Sequence, residues 1–145
     1  MTGSAAFPAR DVAALLGALE PGRSLWVRGL GRSMWPLLPS GAEVRLRRCE
    51  PGAFSPGDVA FCVLPSGEPV VHLLLGTQPV RTAGWLRSED APGGTMLARV
   101  EAVRVKGQEV RLPGGLGPLL LLARATARRP LLLAGLRPLA RRLGR

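Results

Sequence analysis

The residues best able to do chemistry in this chain are one serine and one histidine. Ser33 stands in Gly29-Leu30-Gly31-Arg32-Ser33-Met34-Trp35-Pro36, where glycines on one side and Pro36 on the other force a tight turn. A hydroxyl set in such a turn is exposed, held by the backbone and surrounded by amide N–H groups that could serve an oxyanion. Serine at its free pKa is a weak nucleophile and needs a base within hydrogen-bond reach. The chain's single histidine, His72, ends Val70-Val71-His72-Leu73, an apolar run of strand type. Each signal has a plainer reading: a serine in a Gly-rich turn as a turn residue, and a histidine in an apolar strand as a satisfied core side chain. Lys106, the one lysine, precedes Gly107 and reads as an exposed hairpin turn rather than a buried base. Cys49 and Cys62 fall in expected strands without metal-ligand spacing, and read as small buried hydrophobes. No metal or other cofactor is expected.

The elements that would position these groups follow from periodicity. Val12, Leu15, Leu16 and Leu19 recur at helical spacing over 9–20, and Pro21-Gly22 stops the run. The period then changes to two. Strands are expected at Leu25–Arg28, Glu43–Arg47, Asp58–Leu64, Pro69–Leu75, Val80–Leu86, Met96–Val105 and Glu109–Leu112. Pro65-Ser66-Gly67-Glu68 and Lys106-Gly107 carry hairpin turn chemistry. At 145 residues, with 46% hydrophobic residues, 19 Gly and 14 Pro, the chain fits a mainly β domain with helical ends, and disorder of most of it is excluded. The expected division is 1–22 as an N-terminal helical segment, 23–113 as the β domain and 114–145 as a Leu/Arg-rich helical tail.

The tail carries most of the charge. Arg124, Arg128, Arg129, Arg137, Arg141, Arg142 and Arg145 stand there without an acid, so seven of the net +10 charges belong to the last thirty residues. Pro118, Pro130 and Pro138 break this stretch into one or two short amphipathic helices, with leucines packed on the body up to about residue 127 and arginines left in water. Its last part suits attachment to an anionic membrane surface. Nucleic acid is a poor fit, because the chain has no helix-turn-helix pattern, no aromatic platform and no zinc motif. No N-terminal stretch reads as a secretory signal, and no run approaches the ~18 apolar residues of a spanning helix. A cytoplasmic location, peripheral at the membrane at most, is the expectation.

The order of four blocks adds a resemblance. Gly31-Arg32-Ser33-Met34-Trp35-Pro36, Ser40-Gly41, Pro56-Gly57-Asp58-Val59-Ala60-Phe61 and Pro69-Val70-Val71-His72 together resemble the signal peptidase I superfamily, shared with LexA-type self-cleaving repressors. His72 follows Ser33 by 39 residues in the context of the archaeal and endoplasmic-reticulum branch, whose base is histidine where other branches use lysine. The resemblance spans roughly residues 25 to 105, and Leu97-Ala98-Arg99-Val100 is similar to the family's next block. The sequence departs from the pattern at Leu73, where the family has Arg, and at Gly31, where many members place a serine that joins the oxyanion hole.

The resemblance implies a LexA/signal-peptidase-like complex β-fold and a serine endopeptidase with Ser33 as nucleophile and His72 as base. It implies an Asp in a polar turn beyond the base, and Asp90 in Arg87-Ser88-Glu89-Asp90 takes that place, 18 residues on, to orient the imidazole. Glu89 competes for the role, the plain reading of Asp90 is a solvated loop acid, and Asp58 reads as a structural turn carboxylate. Gly31, Met34 and Trp35 would line the groove for small substrate side chains, with packing beneath the turn as the alternative for the last two. The partner implied is an extended peptide or protein segment. The competing functions are an inactive peptide-binding module of the same fold and a basic accessory protein docking on membranes through its tail.

Overall fold

The computed structural model describes residues 5–113 and 115–133, with side chains as far as residue 128. Short strand β1 (Phe7–Pro8) leads into helix α1 (Ala9–Ala18), then β2 (Ser24–Arg28), β3 (Glu43–Arg48), β4 (Val59–Val63), β5 (Pro69–Thr77), β6 (Val80–Ala83), β7 (Thr95–Val105), β8 (Gln108–Arg111) and helix α2 (Gly117–Leu133). The mainly β expectation holds among the described residues: one open mixed sheet of eight strands with two helices.

The strand order is β1-β2-β3-β7-β4-β5-β6. The eleven-residue β7 is its spine. It pairs with β3 along one edge, while β4 and β8 share successive stretches of the other. Two hairpins take the turns expected of them. Gly67 adopts φ +89° between β4 and β5, and Lys106 and Gly107, both at positive φ, join β7 to β8.

Alternation along the strands divides the interior. One face carries Val27, Val44, Leu46, Phe61, Val71, Leu73 and Val100, covered by Val12 and Leu16 of α1. The other carries Ala60, Cys62 and Leu74 with Phe54. Truncating a fully buried residue such as Phe61 would cost ~3–5 kcal/mol. Arg48 holds α1 from below, donating through Nη1 to the carbonyls of Leu16 at 2.7 Å, Gly17 at 2.9 Å and Leu19. These are the orphan acceptors of a helix C-terminus. Two guanidiniums stand over the Trp26 ring, with Arg104 4.2 Å and Arg45 5.6 Å from its centroid.

Three expectations need correction. The strand expected over Val80–Leu86 stops at Ala83, because Gly84 and Trp85 turn away to meet the Ser33 segment. The tail does not break at Pro130: α2 runs continuously through it to Leu133, losing only one backbone donor there. Arg124 is not in water but buried, at 8% exposure. Leu120 and Leu121 pack on the core as expected, whereas Leu119 and Leu122 stay exposed. Surface attachment through Arg137, Arg141, Arg142 and Arg145, and the break at Pro138, lie outside the described residues. No helix among the described residues is long and apolar enough to cross a membrane.

Candidate active site

His72 lies in the middle of β5, opposite Ala60 of β4, so it shares the sheet face of Ala60, Cys62 and Leu74. It is 5% exposed. Its Nδ1 lies 2.6 Å from Asp90 Oδ2. Asp90 is fixed in turn by Thr82 of β6: the Thr82 hydroxyl donates to Oδ2 at 2.7 Å, and the Asp90 amide donates to the Thr82 carbonyl at 2.8 Å. Of the acids weighed for this role, Asp90 is the one that meets the imidazole. Glu89 points away and pairs with Arg81 at 2.7 and 2.8 Å, and Asp58 accepts the Ser55 amide at 2.8 Å within its own turn.

The charge states follow. Burial pushes the Asp90 carboxyl up, but the hydrogen bond and charge of His72, the Thr82 hydroxyl and the charge of Arg87 outweigh it, and Asp90 ends below the usual carboxylate range. An ionised carboxylate only accepts hydrogen bonds, so the proton between the two residues belongs to His72 Nδ1. In the neutral imidazole Nε2 is then a bare lone pair. That atom is buried and makes no hydrogen bond, alone among the buried side-chain nitrogens and oxygens of the described residues. An unsatisfied buried polar atom costs ~1–3 kcal/mol, a cost that stability alone does not explain.

Ser33 is partly exposed and lies in the turn after β2. Its carbonyl accepts the Trp85 amide at 2.9 Å, which pins the turn to the segment leaving β6. Gly84 makes that approach possible, since a Cβ there would stand 2.5 Å from the Ser33 carbonyl oxygen. Ser33 also lines a small cavity of about 110 Å³ with Gly31, Met34, Ala42 and Val71. Met34 reaches from this cavity into the core at 3% exposure, whereas Trp35, ahead of a cis bond to Pro36, is not part of the lining. His72 Nε2 and Ser33 Oγ are not hydrogen-bonded.

Leu73 and Gly31, the two positions at which the sequence departs from the pattern it resembles, each have a local structural setting. Leu73 is fully buried between Val59 and Ala83, a place with no outlet for a guanidinium. Gly31 holds φ +73°, a backbone conformation that serine adopts only at a cost.

Three members of the arrangement were not singled out from the sequence: Thr82, Gly84 and Arg124. Gly84 alone gave a signal, because an isolated glycine inside a strand pattern marks a close backbone approach. Cys62, on the face of His72, is chemically quiet. Burial first, and the charge of Asp90 second, push its thiol up to about 12. No protein-family model matches the chain, and a search of curated proteins finds no match to it.

Proposed function

We propose that the chain is a serine-type peptidase of the signal peptidase I kind, built on a LexA-like β-fold. The observation that carries this reading is the His72–Asp90 pair at 2.6 Å with an unpartnered, buried Nε2 on its far side. An imidazole oriented by a carboxylate through Nδ1, with Nε2 free to take a proton, is what a serine nucleophile requires. In the proposed reaction the Ser33 Oγ–H proton passes to Nε2 as Oγ bonds to the peptide carbonyl carbon. His72 then returns that proton to the leaving amine as the C–N bond breaks. Water, deprotonated by the same nitrogen, then adds to the ester carbonyl, and His72 hands that proton to Ser33 Oγ as the C–O bond breaks and the acid leaves. The substrates implied by the resemblance are extended segments with small residues before the cut, laid along a strand edge. Gly31, Met34 and, less directly, Trp35 would border their side chains.

The test is cleavage of a library of extended peptides with Ala, Gly or Ser before the scissile bond. Ser33→Ala should abolish turnover without lowering Tm, and equal cleavage by that variant would end the assignment. A second reading, a peptide-binding module without catalysis, is favoured by one observation: Ser33 Oγ does not hydrogen-bond to His72 Nε2. Saturable peptide binding with no cleavage by the unmutated chain would establish that reading.

A further inference from the structure

The proposed catalytic groups come from the turn after β2, from β5 and from the loop beyond β6. A second element, remote in sequence, reaches the same loop. Arg124 of α2 donates through Nη2 to the Arg87 carbonyl at 2.7 Å and through Nε to the Gly84 carbonyl at 3.3 Å. These two acceptors bracket the bend that turns Trp85 toward Ser33 and then leads to Asp90. Gly84 touches the Ser33 backbone, Trp85 holds the Ser33 carbonyl, and Asp90 meets His72. One guanidinium therefore ties a stretch that contacts both proposed catalytic residues.

We propose that Arg124 is a positioning residue of this site: by clamping the carbonyls of Gly84 and Arg87 it sets the loop that seats Ser33 and delivers Asp90 to His72, making α2 a structural part of the catalytic centre. The inference rests on the peptidase reading for the word catalytic, but not for the clamp itself. A planar fork that grips two carbonyls at once is a task for arginine and not lysine. Burial, first, and the nearby charge of Arg128, second, lower the pKa of Arg124, opposed by the charges of Glu89 and Asp90. Keeping a cation at 8% exposure is costly, and α2 carries other arginines that could have faced water in its place.

The chain has a single imidazole, so its ring resonances are assigned without ambiguity. The experiment compares the full chain with Arg124→Gln, Arg124→Lys and the control Arg128→Gln by long-range ¹H–¹⁵N spectra of His72, with the same proteins assayed on the peptide library. Arg124→Gln should shift or broaden the Nδ1–H signal and lower kcat by about 10²-fold, the scale of a small misplacement at a reacting centre. Arg124→Lys, able to reach one carbonyl, should restore part of both, and Arg128→Gln should match the unmutated chain. Should Arg124→Gln not fold, Arg124→Lys decides the matter through the same signal. An Nδ1–H signal unchanged in the folded Arg124 variants would overturn the proposal. Absence of peptide cleavage in every protein would overturn the peptidase reading instead, and leave the clamp to be decided by the imidazole signal.

Discussion

A Cβ placed on Gly84 would lie 2.5 Å from the carbonyl oxygen of Ser33. The contact is backbone against backbone, and the adjoining Trp85 amide bonds to that same oxygen at 2.9 Å, so neither side can yield by a rotamer change. Gly84→Ala is therefore expected to push the turn that carries Ser33 outward. The overpacking should cost about 1–3 kcal/mol. If the proposed peptidase reading holds, turnover should fall further than stability, by roughly 10²-fold, because Ser33 moves relative to His72, which stays in place. Hydrogen exchange at the Trp85 amide, read beside kcat/KM, checks this. An unprotected Trp85 amide with full activity would show that the Ser33 seat does not matter.

Asp90→Asn tests the tautomer. An amide can present N–H to His72 Nδ1, which would move the ring proton to Nε2 and remove the lone pair there. A loss of ~10⁴-fold in kcat is expected, with the fold intact. The same substitution has a pH signature. Because the Asp90 carboxyl lies below its ordinary value in the folded chain, ionised Asp90 stabilises the fold above the unfolded pKa of ~3.9, and that contribution is lost as pH falls through the folded value. Urea melts of the two proteins should differ at neutral pH and converge under strongly acid conditions. Parallel curves across the whole range would mean that the carboxylate contributes nothing by its charge.

Much of this architecture was legible because it is local. Alternation in Glu43–Arg47 and the turn residues at Gly67 and Lys106-Gly107 dictate strands and hairpins from neighbours in sequence. Ser33 and His72 could be singled out by residue type and setting, and Asp90 only as the acid that the family resemblance implies. What pairs Asp90 rather than Glu89 with His72 was not legible, since adjacent residues point oppositely and the choice depends on the register of Thr82 beneath them. Arg124 was hidden for a different reason. Among so many tail arginines, only the docking of α2 distinguishes Arg124, which turns inward. That Ser33 Oγ and His72 Nε2 are not hydrogen-bonded also escapes the sequence, because tertiary packing and not local pattern sets the approach of two residues 39 apart in the chain.

The two cysteines should behave very differently. Cys62 is buried on the face of His72, and its thiol is pushed up to about 12 by burial and then by the charge of Asp90, so almost no thiolate exists near neutrality. Cys49 lies just past β3, partly exposed, with its Sγ 3.4 Å from the Arg47 carbonyl. Iodoacetamide should add to one site in the native protein, at Cys49, and to both in urea, as peptide mass mapping would show. Fast native alkylation of Cys62 would mean that this face of the sheet opens to solvent.

The docking of α2 depends on a second contact between glycines. A Cβ on Gly57 would stand 2.3 Å from the backbone of Gly117, and one on Gly117 would stand 2.8 Å from the Pro56 carbonyl. Gly57 cannot retreat, because its amide is bonded to the Leu74 carbonyl at 2.7 Å, and Leu74 returns a bond to Asp58 at 2.8 Å. Any side chain at Gly57 must then displace the start of α2, and Arg124 with it. Gly57 also has φ +93°, which alone costs ~1–2 kcal/mol for a residue with a Cβ. Gly115 supplies the control: it holds φ +76° but has open space where a Cβ would go. Gly57→Ala should therefore lower Tm more than Gly115→Ala does. Only Gly57→Ala should shift the His72 Nδ1–H signal, since only it draws Arg124 away from the carbonyls of Gly84 and Arg87. Equal losses in the two variants, with the imidazole signal unmoved, would show that α2 sits on the sheet without holding the site.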